Sequence, residues 1–261
     1  MAHILTVANN KGGTGKSTLC VTFAYGMAQQ GCKVLLIDLT SQTTSSSLLL
    51  ETVQDLPPKD TIWGVLQGDT AIADVVYMSD KGVDVIPSHP SMATVLPHLT
   101  RGDHLRDPLA PLAAAYDLVV IDSPGDLNQL VANALAPADQ VIIPTRLNRV
   151  DFQCAEATLS FIRAARPYIG EKSVRVVINM LDDRYRGAWH NSHTGQWYQK
   201  AQAIFADILS PITFPDSQDI RTAFDRGMTV LEYRPQSLIA ERFRTFLAAE
   251  IAIYCSNKNQ T

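Results

Sequence analysis

A chain of 261 residues and 28.6 kDa suits one large α/β domain or two small ones, with a sizeable buried core. A composition of 46% hydrophobic against 18% charged residues excludes a disordered chain, and no run approaches the roughly 18–20 uninterrupted apolar residues of a membrane span. The net charge of -4 excludes a generally basic nucleic-acid coat, but residues 34–140 carry 14 acids against 4 bases while residues 141–261 carry 15 bases against 12 acids, which leaves room for a basic face in the C-terminal half.

The N-terminus has no basic stretch followed by a long apolar one, so it does not read as a signal peptide. Residues 4–8 read instead as a first strand. A helix over 17–30 follows, stopped by Gly31. Residues 33–38, 83–86, 117–122, 140–144 and 174–179 are further short, β-branched, near-continuous apolar runs. Helical patterns cover 129–135, 150–166, 196–209 and 235–254, and residues 40–80 form a polar excursion of loop and small helices. Strands apolar throughout and separated by helices predict a parallel sheet covered on both faces. The expected fold is α/β, a single doubly wound, mostly parallel sheet over residues 1–261 with a short tail from about 256, binding its ligands at the carboxyl ends of the strands. Cys20, Cys32, Cys154 and Cys255 lack metal or disulfide spacing and read as reduced thiols of a cytoplasmic protein.

The segment with most chemistry in it is Asn9-Asn10-Lys11-Gly12-Gly13-Thr14-Gly15-Lys16-Ser17-Thr18, between the first strand and the first helix. Three glycines let the backbone turn its N–H groups inward, over a helix N-terminus that favours an anion. Lys16 reaches β and γ phosphates from such a loop, and the Ser17 hydroxyl binds Mg²⁺. Asn10 stands where the ordinary GxxxxGK[ST] loop has its first glycine, and Lys11 beside it is better placed for a nucleotide held by another subunit than for its own. Asp122 ends an apolar strand before a Pro124-Gly125 turn, where a carboxylate holds Mg²⁺ through water, and Asp38 ends another.

Lys11-Gly12-Gly13-x-Gly15-Lys16-Ser17-Thr18 resembles the deviant Walker A box of the ParA/MinD family of P-loop ATPases, and the likeness extends over nearly the whole chain. Residues 35–42 resemble the family's switch I, usually Asp-x-Asp-Pro-Gln, and 116–124 its Walker B and switch II, usually Asp-x-Pro-Pro. Residues 177–182 resemble the strand whose Asn, here Asn179, flanks the adenine, and 212–230, with Pro215, the segment that closes over the base. The resemblance implies ATP and Mg²⁺ as cofactors, with residues 11–18, Asn179 and Pro215 on the nucleotide, Ser17, Asp38 and Asp122 on the metal, and Lys11, Lys16, Asp38 and Asp122 as the catalytic set. It also implies an ATP-sandwich homodimer with Lys11 crossing the interface. Thr40 stands where the family has its second switch I aspartate, Ser41 where it has proline, and Gly125 replaces the second switch II proline. A hydroxyl orients water less well than a fixed anion, so slow, partner-stimulated hydrolysis is expected, or use of Asp38 or Asp126.

With a first strand at its very start, the chain resembles the short ParA type, which lacks a helix-turn-helix and binds nucleoid DNA without sequence preference. Arg184, Arg186, Lys200, Arg221, Arg226, Arg242 and Arg244 are the candidate phosphate contacts, although solvated or ion-paired side chains account for any one of them equally well. The C-terminal segment 246–254 is apolar and lacks the basic amphipathic helix by which the MinD branch holds membranes. His190 and His193 have no cysteine or carboxylate beside them and read as a loop feature. The expected function is a cytoplasmic, nucleoid-associated ATPase that positions a plasmid, chromosome region or protein assembly with a ParB-like or adaptor partner. The alternatives are a nucleotide-locked scaffold, a MinD-like positioning ATPase, and a metabolic relative such as a nitrogenase reductase or a synthetase. The reductase needs cluster cysteines near Asp122, and none lies there.

Overall fold

In the computed structural model, which describes residues 2–182 and 192–252, alternate residues of each central strand go to opposite cores. In β2 (Val34–Asp38), Val34 and Leu36 join one cluster, and Leu35 and Ile37 join the other. β5 (Leu118–Asp122) divides its valines, leucine and isoleucine in the same way, and all five of its residues are buried. This two-sided burial is why the strands read as continuous apolar runs. With β1 (His3–Val7), β3 (Tyr77–Met78), β4 (Val83–Ile86), β6 (Gln140–Thr145) and β7 (Ser173–Ile178), they form one seven-stranded sheet in the order β3-β4-β2-β5-β1-β6-β7. Every neighbouring pair is parallel except β3 with β4. The doubly wound α/β sheet is the one expected, with a short antiparallel edge strand, β3, added to it.

α1 (Lys16–Ala28) follows β1 and packs on the first core with α10 (Leu238–Phe246). Phe23 of α1 stacks on Phe246 at 5.1 Å between centroids, and Phe214 on Phe243 at 4.4 Å. Aromatic pairs at such spacing add about 0.5–1.5 kcal/mol each beyond their buried area. Gly26 is where α1 meets this layer, since a Cβ there would run into the Leu231 and Leu247 side chains. A first helix buried this fully holds the loop before it to the sheet. Between β2 and β4 the chain forms the short α2 (Thr44–Leu49) and α3 (Ile62–Gln67), as expected of residues 40–80. α4 (Arg106–Ala113) and α5 (Gln129–Leu135) cover the second core, and α6 (Arg149–Ile169) and α7 (His193–Phe205) cover the third, over β6 and β7. α8 (Gln218–Asp225) and α9 (Val230–Tyr233) lead into α10.

Four expected helices differ in extent, the first running over Lys16–Ala28 rather than 17–30. The one over 150–166 runs to Ile169, three residues past Arg166 and through Pro167, and that over 196–209 begins at His193 and ends at Phe205, with a tighter turn over Ala206–Ile208. The one over 235–254 begins at Leu238 behind the Ser237 cap and widens into a π turn over Leu247–Ile251. The α4 segment, carrying Pro108 and Pro111, had no helical signal to read.

Candidate functional site

The carboxyl ends of β1, β2 and β5 meet at one cavity of about 390 Å³. Gly12, Gly13, Gly15, Lys16, Ser17 and Thr18 form one wall, residues 40–42 with Thr44 a second, and residues 123–126 a third. Gly13 and Gly15 hold φ of +71° and +90°, the left-handed region open to glycine. A Cβ on Gly15 would also collide with the Asn179 amide, whose Nδ2 donates to the Thr14 carbonyl at 2.8 Å. Gly125 brings the third wall within 3.2 Å of the Gly12 nitrogen, measured from where a Cβ would stand. Lys16 is buried, and its Nζ donates to the Lys11 carbonyl at 2.9 Å. Burial lowers its pKa, against the pull of the Asp122 and Asp126 carboxylates.

The two strand-end carboxylates are opposite each other in the β2–β5 register and fully buried. Asp38 is saturated from its own side: Oδ1 accepts from the Thr40 backbone N–H and hydroxyl, both at 2.8 Å, and Oδ2 from the Ser46 hydroxyl at 2.7 Å and its N–H at 3.1 Å. Burial still holds its carboxyl above the ordinary value, with those four bonds pulling the other way. Asp122 Oδ2 accepts from Ser45 Oγ at 2.6 Å, while Oδ1 is buried without a hydrogen-bond partner among the described residues. Burial, then the facing Asp38, push Asp122 up to about 7, with the nearby Ser17 hydroxyl favouring the charged form. A buried carboxylate oxygen without a partner, next to a serine hydroxyl at the foot of a glycine loop, fits the hard-oxygen set of Mg²⁺. Asp38 has both oxygens engaged by Thr40 and Ser46, so it would reach such an ion only by giving up some of those bonds.

Ser45 and Ser46 carry no signal of their own in the sequence, where a run of serines reads as loop. Thr43 precedes them with φ of +53°, a strained value for a β-branched residue. Lys11 is also tied: its Nζ forms an ion pair with the buried Asp151 in the first turn of α6, so it does not turn into its own loop. Asn148 caps α6 by accepting from the Asp151 N–H at 3.0 Å. Arg146, on the corner between β6 and α6, donates through Nη2 to the Gly13 carbonyl. Asp151 and Arg146 carried no sequence signal, because each meets the loop across more than 130 residues of chain.

A second, smaller hollow shares Thr18 of α1 with the first. Thr18, Leu19, Asn179, Met180, Pro215, Asp216, Ile220 and Arg221 are among its lining, so Asn179 and Pro215 come together as expected. Arg221 also pairs with Asp216. The other basic candidates are dispersed: Lys200 lies 4.4 Å over the Trp197 ring on α7, Arg226 4.9 Å over Tyr233, Arg242 of α10 donates to the Thr213 carbonyl, and Arg244, two residues further along α10, is exposed. Arg184, Arg186, His190 and Cys255 lie outside the described residues, as does the side chain of His193. Cys20, Cys32 and Cys154 form no disulfide, and no cluster of three metal-ligating side chains occurs among the described residues.

A family model described as "AAA domain" matches residues 2–173. Cell division protein PomZ of Myxococcus xanthus is 36% identical over 88% of this chain and 72% of its own. Sporulation initiation inhibitor protein Soj of Bacillus subtilis is 26% identical over 97% of this chain and 99% of its own. The chain belongs to the ParA/MinD family of P-loop ATPases. Within it, the similarity runs to partition and positioning proteins. The fold agrees: apo McdA of Cyanothece superposes with a TM-score of 0.83 over 95% of this chain and all of that one, at 21% identity. No described helix of this ParA/MinD-family chain is long and apolar enough to cross a membrane.

Proposed function

We propose that the chain binds Mg²⁺-ATP in the cavity between residues 12–18 and the two strand-end carboxylates, dimerises around two nucleotides, and in that state holds DNA non-specifically while it positions a cargo. The observation that carries this reading is the unpartnered Asp122 Oδ1 beside Ser17, at the foot of a loop whose lysine faces the same cavity. Ser17 and Asp122 would hold the metal, which neutralises charge on the β and γ phosphates. Lys16 leaves the Lys11 carbonyl for the phosphates, and the loop N–H groups bind the anion. Asn179 and Pro215 border the base. Thr40 and Asp38 orient the attacking water, with Asp126 on the opposite wall.

Hydrolysis slow without a partner follows from Thr40, which brings a neutral hydroxyl already donated to Asp38. The same observation favours a second reading, a dimeric scaffold with little turnover. Arg244 is the cleanest candidate DNA contact, since it is exposed, while Arg221 borders the base hollow and would disturb nucleotide as well. A ParB-like or adaptor protein would trigger release. The test is ATP turnover with and without DNA, alongside sedimentation in ATP and in ADP. A dimer in ATP alone, slow turnover, and DNA retention that falls steeply with salt are expected. Absence of ATP binding by calorimetry would overturn the nucleotide reading, and a dimer without DNA affinity at low salt would leave the scaffold.

A further inference from the structure

Resting on the sandwich-dimer reading, we propose that Arg146 donates to the terminal phosphate of the ATP carried by a second copy of the chain. Arg146 sits just past β6 and two residues before the Asn148 cap of α6. Its Nη2 clasps the Gly13 carbonyl, while its Nε is buried with no hydrogen-bond partner among the described residues. A guanidinium does not lose its proton, so a buried N–H left over on it calls for an acceptor, and a phosphoryl group matches its fork.

The local charges point the same way. The N-terminus of a 21-residue helix is a positive end, where cations are disfavoured. Arg146, Arg149 and Lys11 nevertheless gather there, and Asp151, the acid of that corner, is taken by Lys11 and Asn148. Such a corner is completed by an anion. The anion is not the chain's own nucleotide, because Gly13 lines the nucleotide cavity and Arg146 holds Gly13 without lining it. The loop therefore stands between Arg146 and its own phosphates. What reaches the guanidinium is a phosphate presented to the outer side of the loop, where Lys11 also lies. The γ-phosphoryl group is what ATP carries and ADP lacks, so such a contact would depend on ATP over ADP.

The test compares wild type with Arg146→Ala and Arg146→Lys, using calorimetry with ADP and with a slowly hydrolysed ATP analogue at protein concentrations below dimerisation, then sedimentation equilibrium in the analogue with Mg²⁺. Expected for Arg146→Ala, which also loses the Nη2 bond to the Gly13 carbonyl, is an equal and small change in the monomer's affinity for ADP and the analogue, and a dimer dissociation constant, read with both chains saturated in the analogue, raised at least about tenfold, with Arg146→Lys between the two. If Arg146 only buttresses the loop, affinity for both nucleotides falls together in the monomer and the saturated dimer constant stays unchanged, which overturns the proposal. Loss of analogue affinity alone in the monomer puts the contact on the chain's own phosphate and overturns the crossing. An unchanged dimer constant overturns it directly. A wild type that binds the analogue but stays monomeric removes the dimer reading and this proposal together, whereas a wild type that binds neither nucleotide refutes the proposed function itself.

Discussion

Replacing Asp122 by asparagine removes a charge while keeping shape and the oxygen that accepts from Ser45. In the unfolded chain this carboxyl ionises near its ordinary 3.8, whereas in the fold burial and the facing Asp38 raise it to about 7. Between those values the native state binds more protons than the unfolded one, so stability falls as pH rises across this window and levels off above about 7. At about 1.4 kcal/mol per pH unit the displacement sets a ceiling of about 4 kcal/mol. Asp122→Asn escapes that cost, so at pH 8, in chelator and without nucleotide, it is expected to be about 2–4 kcal/mol more stable than wild type. For a chain of this size that is roughly 5–12 °C in Tm. Near pH 4 both chains bury a neutral side chain and the gap closes. Saturating Mg²⁺-ATP reverses the order, because it stabilises the ionised carboxylate and not the amide. Urea denaturation at pH 4.5 and pH 8 reads the effect. Equal stability at pH 8, or a gap of the same size at both pH values, would refute the assignment of the cost to a buried anion.

Lys16→Ala is expected to weaken ATP binding about 100-fold or more by calorimetry, since two charge-assisted bonds at about 1.5–3 kcal/mol each are lost. Lys11→Ala is expected to leave nucleotide binding by the monomer intact and block the ATP dimer, with Asp151→Asn freeing Lys11 and strengthening that dimer; sedimentation in ATP measures both. Gly15→Ala meets the Asn179 amide and a φ of +90°, so nucleotide binding should be lost while the far-UV spectrum is retained. Thr40→Asp removes a hydroxyl donor from Asp38 and sets a carboxylate against it, so the apo chain should lose about 1–3 kcal/mol while single-turnover hydrolysis rises once Mg²⁺-ATP is bound.

The phosphate loop was legible because its chemistry is contiguous: spacing, glycines and lysines all fall within residues 9–18. Asp38 and Asp122 were legible for a related reason, since an acid closing a fully apolar strand marks the end of the sheet where ligands collect. β3 was not, because two residues paired antiparallel at an edge carry no period. Nor was α2. Its Thr-Ser-Ser-Ser-Leu-Leu segment is a weak helix former, and the turn is held in part by hydroxyls that face the carboxylates beneath it. Arg146 and Asp151 became visible only when the fold laid the corner between β6 and α6 against the loop.

Thr40 shows how a departure from a motif changes sense once its neighbours are known. On the sequence alone it is a missing carboxylate. In the fold, residue 40 sits beside Asp38 and two residues along from it, and Asp38 itself faces Asp122 across the register. An aspartate at 40 would bring a third carboxylate to a place where Asp122 already rises to about 7. The threonine instead gives Asp38 two donors at 2.8 Å. The cations on the other side are engaged in a matching way, Lys16 on the Lys11 carbonyl, Lys11 on Asp151 and Arg146 on the Gly13 carbonyl. Most of the charge around the site is thus satisfied internally, and among the described residues the buried atoms left without a hydrogen-bond partner include one carboxylate oxygen on Asp122 and the Nε of Arg146. A cation fits the first and a phosphate the second. On the proposed function, such a site would give up internal contacts to bind Mg²⁺-ATP, and that exchange would make the loop and its two flanking segments respond to the nucleotide as a switch.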